Sequence, residues 1–150
     1  MAKIEIVEGR CVFNVDVEVG KGRPNRIDDV ELVRYGYTCL KSDTRFQVNI
    51  TPRLRAALQK LNPRGAHAND LQEVIEAHQE ARGGQIDGIV SVGKSQSMHT
   101  ILYDRKHAWI IYSLSGFIRD NDPDLYPRID LDESCGSELR KKVKTIFFAD

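Results

Sequence analysis

Apolar and polar positions alternate along the first twenty residues of the chain. In "CVFNVDVEV", Cys11, Phe13, Val15, Val17 and Val19 fall on one side and Asn14, Asp16 and Glu18 on the other, which is the period of a half-buried strand. Residues 3–7 make a second run of the same kind, and Glu8-Gly9-Arg10 supplies a turn between them. The pattern predicts a β-hairpin from strands over 3–7 and 11–19.

The breaker segment "GKGRPN", Gly20 to Asn25, ends that region. Beyond it, "RIDDVELVRYGYTCL" supports two readings. Alternation of Val33, Tyr35, Tyr37 and Cys39 favours a strand, whereas Val30, Val33 and Tyr37 at i, i+3, i+7 favour a helix with Asp28 and Asp29 in its first turn. The local pattern leaves the two even.

Further along the period is helical. Thr51-Pro52 is a cap followed by proline at the first helical position; Leu54, Leu58 and Leu61 line one face until Asn62-Pro63. A second helix starts near Asn69-Asp70, buries Leu71, Val74, Ile75 and a packed His78, and ends at Gly83-Gly84. Residues 89–92 and 99–103 are β-like pieces around a polar Gly-Lys-Ser-Gln-Ser turn, and residues 107–119 lean helical. A proline-punctuated loop follows. Ser134 then reads as the N-cap of a last helix, with Leu139 and Val143 inward and Arg140, Lys141, Lys142 and Lys144 toward solvent.

Composition narrows the function. The 22 basic residues are balanced by 22 acidic ones, so the chain carries no overall basic field and nucleic acid is not an expected partner. No apolar run approaches the roughly 20 residues of a membrane span, and the start "MAKIEIVEGR" is not that of a signal peptide. A cytoplasmic location is therefore the default expectation, and no membrane partner is expected. Three widely spaced cysteines, Cys11, Cys39 and Cys135, fit reduced and mostly buried thiols better than a disulfide framework or a metal site. Neither a metal nor another cofactor is expected.

Two motifs carry chemistry. "GIVSVGKS", Gly88 to Ser95, matches the phosphate-cradling pattern G-x-x-x-x-G-K-[ST]. Its setting does not: a helix end and turn precede Gly88, the variable positions are strand formers, and no crossover helix fits before Asp104. The match is taken as incidental. Cys135, placed by this reading in the first turn of the last helix, could serve as a thiolate nucleophile with His99 or His107 as general base. That is the alternative function, a cysteine hydrolase of permuted papain-like type.

A third pattern covers more of the chain. In "VGKGRPNRIDDVELVRYGY", Val19, Gly20, Gly22, Asn25, Arg26, Asp29, Val30, Leu32 and Val33 match a phrase of bacterial peptidoglycan-binding-like modules, V-G-x-G-x-x-N-R-P-x-D-V-x-L-V-Q. "VIEAHQEARGGQIDGIVSVG" is similar to their later phrase through Ile75, Gln79, Asp87, Gly88, Val90 and Gly93, and "LYPRIDLDESCGSELRKKV" is similar to a C-terminal extension of such proteins. The family's D-G-x-x-G-P-x-T loop has no counterpart; "DTRFQVNITP" stands there.

This resemblance implies a helix over 26–39. It implies one α+β, mostly helical domain: a β-hairpin addition over 1–22, a peptidoglycan-binding-like helical bundle over 23–104 and a C-terminal helical extension over 105–150. It further implies a non-enzymatic binding or adaptor protein of the cell envelope or of a type VI-like secretion system. The partner would be peptidoglycan glycan or peptide, or a secretion-system protein; either a secretion machine exports the chain or its partner is a cytoplasmic protein. Binding residues would cluster around the Asp87-Gly88 turn with Tyr35, Tyr37 and Trp109.

Overall fold

In the computed structural model, described for residues 2–43 and 50–148, a 16-residue helix, α1 (Ile27–Ser42), runs through the middle of the molecule. Its surroundings explain why its local pattern stays undecided. From Asp28 to Leu40 every residue except Thr38 is buried, whichever way it points. A helix with one solvent face shows a 3.6-residue stripe; a helix enclosed on all sides shows none.

The remaining elements wrap around it. Strands β1 (Lys3–Val7) and β2 (Arg10–Asn14) form the expected antiparallel hairpin, turning through Glu8 and Gly9 at positive φ. The two-residue strand β3 (Val19–Gly20) precedes α1. Next come α2 (Pro52–Lys60), capped by Thr51, and α3 (Asn69–Arg82), closed by Gly83 at φ 79°. Strand β4 (Ile89–Val90) pairs antiparallel with β3, matching Val19 to Val90 and Gly20 to Ile89. Helices α4 (Met98–Tyr103) and α5 (Ile110–Asn121), a 3-10 turn over Ile129–Leu131, and α6 (Ser137–Phe148) complete the chain. The architecture is α+β and mostly helical. One continuous apolar core joins the hairpin, α1 and the C-terminal helices, with Phe13, Val33, Leu114 and Leu139 all inside it.

The polar residues of α1 fix its neighbours. Asp28 accepts the Ala2 amide at 2.6 Å, and Asp29 accepts the amides of Asp16 and Val17. Glu31 accepts the Leu139 amide at 3.0 Å and so caps α6 from another element. Arg34, 2% exposed, donates to the carbonyls of Asn62, Gly65 and Ala66 and to both carboxylate oxygens of Asp70. Tyr35 donates to Asp132 at 2.6 Å, and the Tyr37 hydroxyl meets His78 Nδ1 at 2.8 Å. Between these anchors Gly36 lets α5 approach: a Cβ there would lie 2.8 Å from Leu114 Cβ.

Several expectations need correction. The second strand stops at Asn14, not at residue 19, because Asp29 draws the Asp16 and Val17 amides away from the ladder. The β-like piece at 99–103 is the helix α4. Its N-cap is Ser97, which accepts the Thr100 amide, while Glu8 from the hairpin turn accepts the Met98 amide at 2.9 Å. Ser134 does not cap α6. Its amide and hydroxyl both bond Asp132, the helix starts at Ser137, and Glu31 supplies the cap. Arg140 is half-buried and donates to the Asp130 carbonyl instead of standing free in solvent. Of the stretch that replaces the family loop, residues 44–49 lie outside the described residues.

Candidate functional site

The Asp87-Gly88 turn is held from below by two glutamines of α3. Gln79 donates to Asp87 Oδ1 at 2.7 Å and accepts the Gly88 amide at 2.8 Å. Gln72 donates to the Gly88 carbonyl at 2.9 Å, and Asp87 itself accepts the Ile89 amide. They lie seven positions apart, two turns of one helix face, so both reach the same loop. Gly88 is at φ 71°, and a Cβ there would lie 2.3 Å from the Gln72 amide nitrogen. No other residue satisfies both the left-handed backbone and that approach.

Strand β3 lies beside the turn, held by Asn25, whose side chain accepts the Gly20 amide and donates to the Gly20 and Arg23 carbonyls. The two stretches "VGKGRPN" and "DGIVSVG", distant in sequence, thus meet as the β3–β4 ladder. Against this corner opens a polar groove of about 480 Å3. Its lining includes Lys21 from the β3 turn, Asn69, Gln72, Glu73 and Glu76 from α3, and Asp87. His67 completes it, its ring nitrogen 2.7 Å from Gln72 Oε1.

The groups of the groove divide into two sets. Gln72 and Asp87 are engaged in shaping it. Glu73 accepts Arg53 at 2.8 Å, and that guanidinium lowers its pKa. Lys21, Asn69 and Glu76 make no side-chain hydrogen bond or ion pair among the described residues. An ammonium, an amide and a carboxylate on a fixed backbone can bond hydroxyls, amides and charged groups of a polar ligand.

Of the residues expected to bind, only Asp87 and Gly88 stand here. Tyr35 and Tyr37 are 2% and 0% exposed and bond Asp132 and His78, so they are core anchors, not contact residues. Burial raises both phenols well above their ordinary pKa and holds His78 down to about 3, neutral at any physiological pH. Trp109 is half-buried against the core, and its amide bonds Gln96.

Among the described residues no hydrogen bond links Cys135 to His99 or His107. Cys135 is 1% exposed and lies in the turn before α6, not in its first turn; burial, Glu31 and Asp132 push its thiol pKa up. His107 pairs with Asp104 at 2.8 Å, and His99 packs on the Tyr103 ring. The Gly88–Ser95 match is likewise not a phosphate loop: Gly93 exchanges both backbone hydrogen bonds with the Asn14 side chain, and the next helix starts only at Met98. Among the described residues no group of three or more His, Cys, Asp or Glu is arranged to hold a metal ion, and no helix is long and apolar enough to cross a membrane.

Compared with known proteins, the chain matches no family model, no curated protein and no solved structure.

Proposed function

We propose that this chain is a binding or adaptor protein of the peptidoglycan-binding kind, and that its contact surface is the groove beside the Asp87-Gly88 turn. The observation that carries the reading is the division of labour in that groove. Gln72 and Gln79 lock the turn, and Lys21, Asn69 and Glu76 remain open to a ligand. Preorganised donors and acceptors lower the ordering cost of binding. The groove suits a ligand rich in hydroxyls and amides with ionic groups of both signs, the chemistry of a glycan strand bearing a peptide stem. The meeting of "VGKGRPN" with "DGIVSVG" gives further support, since both stretches carry the resemblance. In this reading the protein reaches the wall through a secretion machine, or serves that machine as an adaptor.

Sedimentation with purified sacculi tests it. The unaltered protein is expected in the pellet, Lys21→Ala and Glu76→Ala are expected largely in the supernatant, and Tyr35→Phe behaves as the unaltered protein. Absence of co-pelleting above a no-sacculus control removes peptidoglycan as the ligand.

A further inference from the structure

A second concavity differs in kind from the polar groove. Strand β2, helices α4 and α5 and the Tyr126–Pro127 segment surround a cavity of about 280 Å3. Its walls include Val12, Met98, Ile101 and Pro127. The hydroxyls at its edge are already engaged: Ser115 Oγ accepts the Phe13 amide at 2.9 Å and lies 3.2 Å from the Tyr126 hydroxyl, which donates to the Cys11 carbonyl. The interior therefore offers chiefly apolar contact.

Two cations complete the lining, Arg10 on the hairpin and Arg119 on α5. Arg10 is exposed and makes no side-chain hydrogen bond or ion pair among the described residues. Arg119, with 30% of its side chain exposed, pairs among the described residues with its neighbour Asp120, a carboxylate it shares with Arg105. The Glu8 carboxylate of the hairpin turn is engaged by the Met98 amide. Guanidiniums in the lining of a largely apolar cavity are matched by a ligand with an apolar body and one planar anionic head.

We propose that this cavity binds a small amphipathic carboxylate, its apolar tail against Val12, Met98 and Ile101 and its carboxylate between Arg10 and Arg119. At the roughly 30 Å3 that one water takes up, the 280 Å3 hold about nine non-hydrogen atoms, the size of a medium-chain acid. The site is separate from the Asp87 groove and does not depend on what that groove binds.

Cys11 gives the test its reporter. It lines the cavity and is half-buried, whereas Cys39 and Cys135 are buried. Octanoate is the probe, 1-octanol its uncharged counterpart, and the readout is the rate at which Cys11 reacts with a thiol reagent, with Cys11→Ser as the labelling control. Octanoate at several times its Kd is expected to slow labelling roughly threefold or more by mass action. Octanol slows it less, and the double variant Arg10→Gln, Arg119→Gln makes the two probes equal. Ile101→Trp fills the cavity and removes the protection. In the unaltered protein the amide resonances of Val12, Ile101 and Gly116 move as octanoate is added, a readout that no variant's folding affects. An unchanged labelling rate, or unmoved resonances, overturns the proposal. Equal protection by octanol and octanoate in the unaltered protein overturns its anionic half.

Discussion

Helix α1 and the groove beside Asp87 carry the same kinds of polar side chain and use them in opposite ways. In α1, Asp28, Asp29, Glu31 and Arg34 are buried, and Asp28, Asp29, Glu31 and Arg34 each bond backbone of another segment. In the groove, Lys21, Asn69 and Glu76 make no side-chain hydrogen bond or ion pair among the described residues. Burial separates the two roles. A buried polar group left unpaired is costly, so α1's polar groups hold the fold together. A polar group on a fixed, wetted wall can exchange water for a ligand at little cost to stability. A motif-like phrase rich in charge is therefore no sign of a binding site until the partners of its charges are known.

The comparison breaks most visibly at Arg34. Arg34→Ala takes the guanidinium donors from three carbonyls and from Asp70 and is expected to lower unfolding free energy by about 3–5 kcal/mol; chemical denaturation measures it. Acid is the next lever. The Arg34 guanidinium holds Asp70 at about 2, below its ordinary value of 3.8. A depressed carboxyl stabilises the fold above its unfolded pKa, and that stability is lost as pH falls through the folded value. The loss is expected between pH 4 and 2, amounts to about 2 kcal/mol, and disappears in Asp70→Asn. Asp29 and Glu31 act with the other sign. Burial raises their pKa, so they favour the folded state as pH falls toward their range.

Glu31→Ala removes the cap on α6 and is expected to cost about 1–2 kcal/mol. A Cβ at Gly136 would lie 2.1 Å from Glu31 Oε2, so Gly136→Ala conflicts with the same carboxylate. The double variant should cost less than the sum of the single ones, as a double-mutant cycle reads directly. The smallest effect sharpens the contrast: Lys21→Ala, Asn69→Ala and Glu76→Ala are each expected to move stability by no more than about 0.5 kcal/mol.

Legibility in the sequence followed the reach of the interactions. The ends of α2 and α3 were readable because Thr51, Pro52 and Gly83 act within a turn of themselves. The hairpin was readable because its alternation is local, although its second strand ended early when Asp29 took the next amides. The stretch "TILY" favours a strand by composition, yet it forms α4 because Glu8, 90 residues away, fixes its first turn. The start of α6 is hidden from local pattern because its cap, Glu31, lies 108 residues from Leu139. Within the groove, Asp87 and Gly88 stood out as a turn. Lys21, Asn69 and Glu76 carried no signal, because they converge only through the β3–β4 ladder and one face of α3. Tyr35 and Tyr37 looked like contact aromatics because the sequence does not reveal that α1 is enclosed.

Amide chemical-shift mapping with soluble glycan-peptide fragments of peptidoglycan tests the groove most directly. The account predicts shifts confined to Lys21, Asn69, Gln72, Glu76 and Gly88, with α1 unmoved. Saturating fragment that moves none of these amides, or that moves those around Tyr35 and Tyr37 instead, contradicts it.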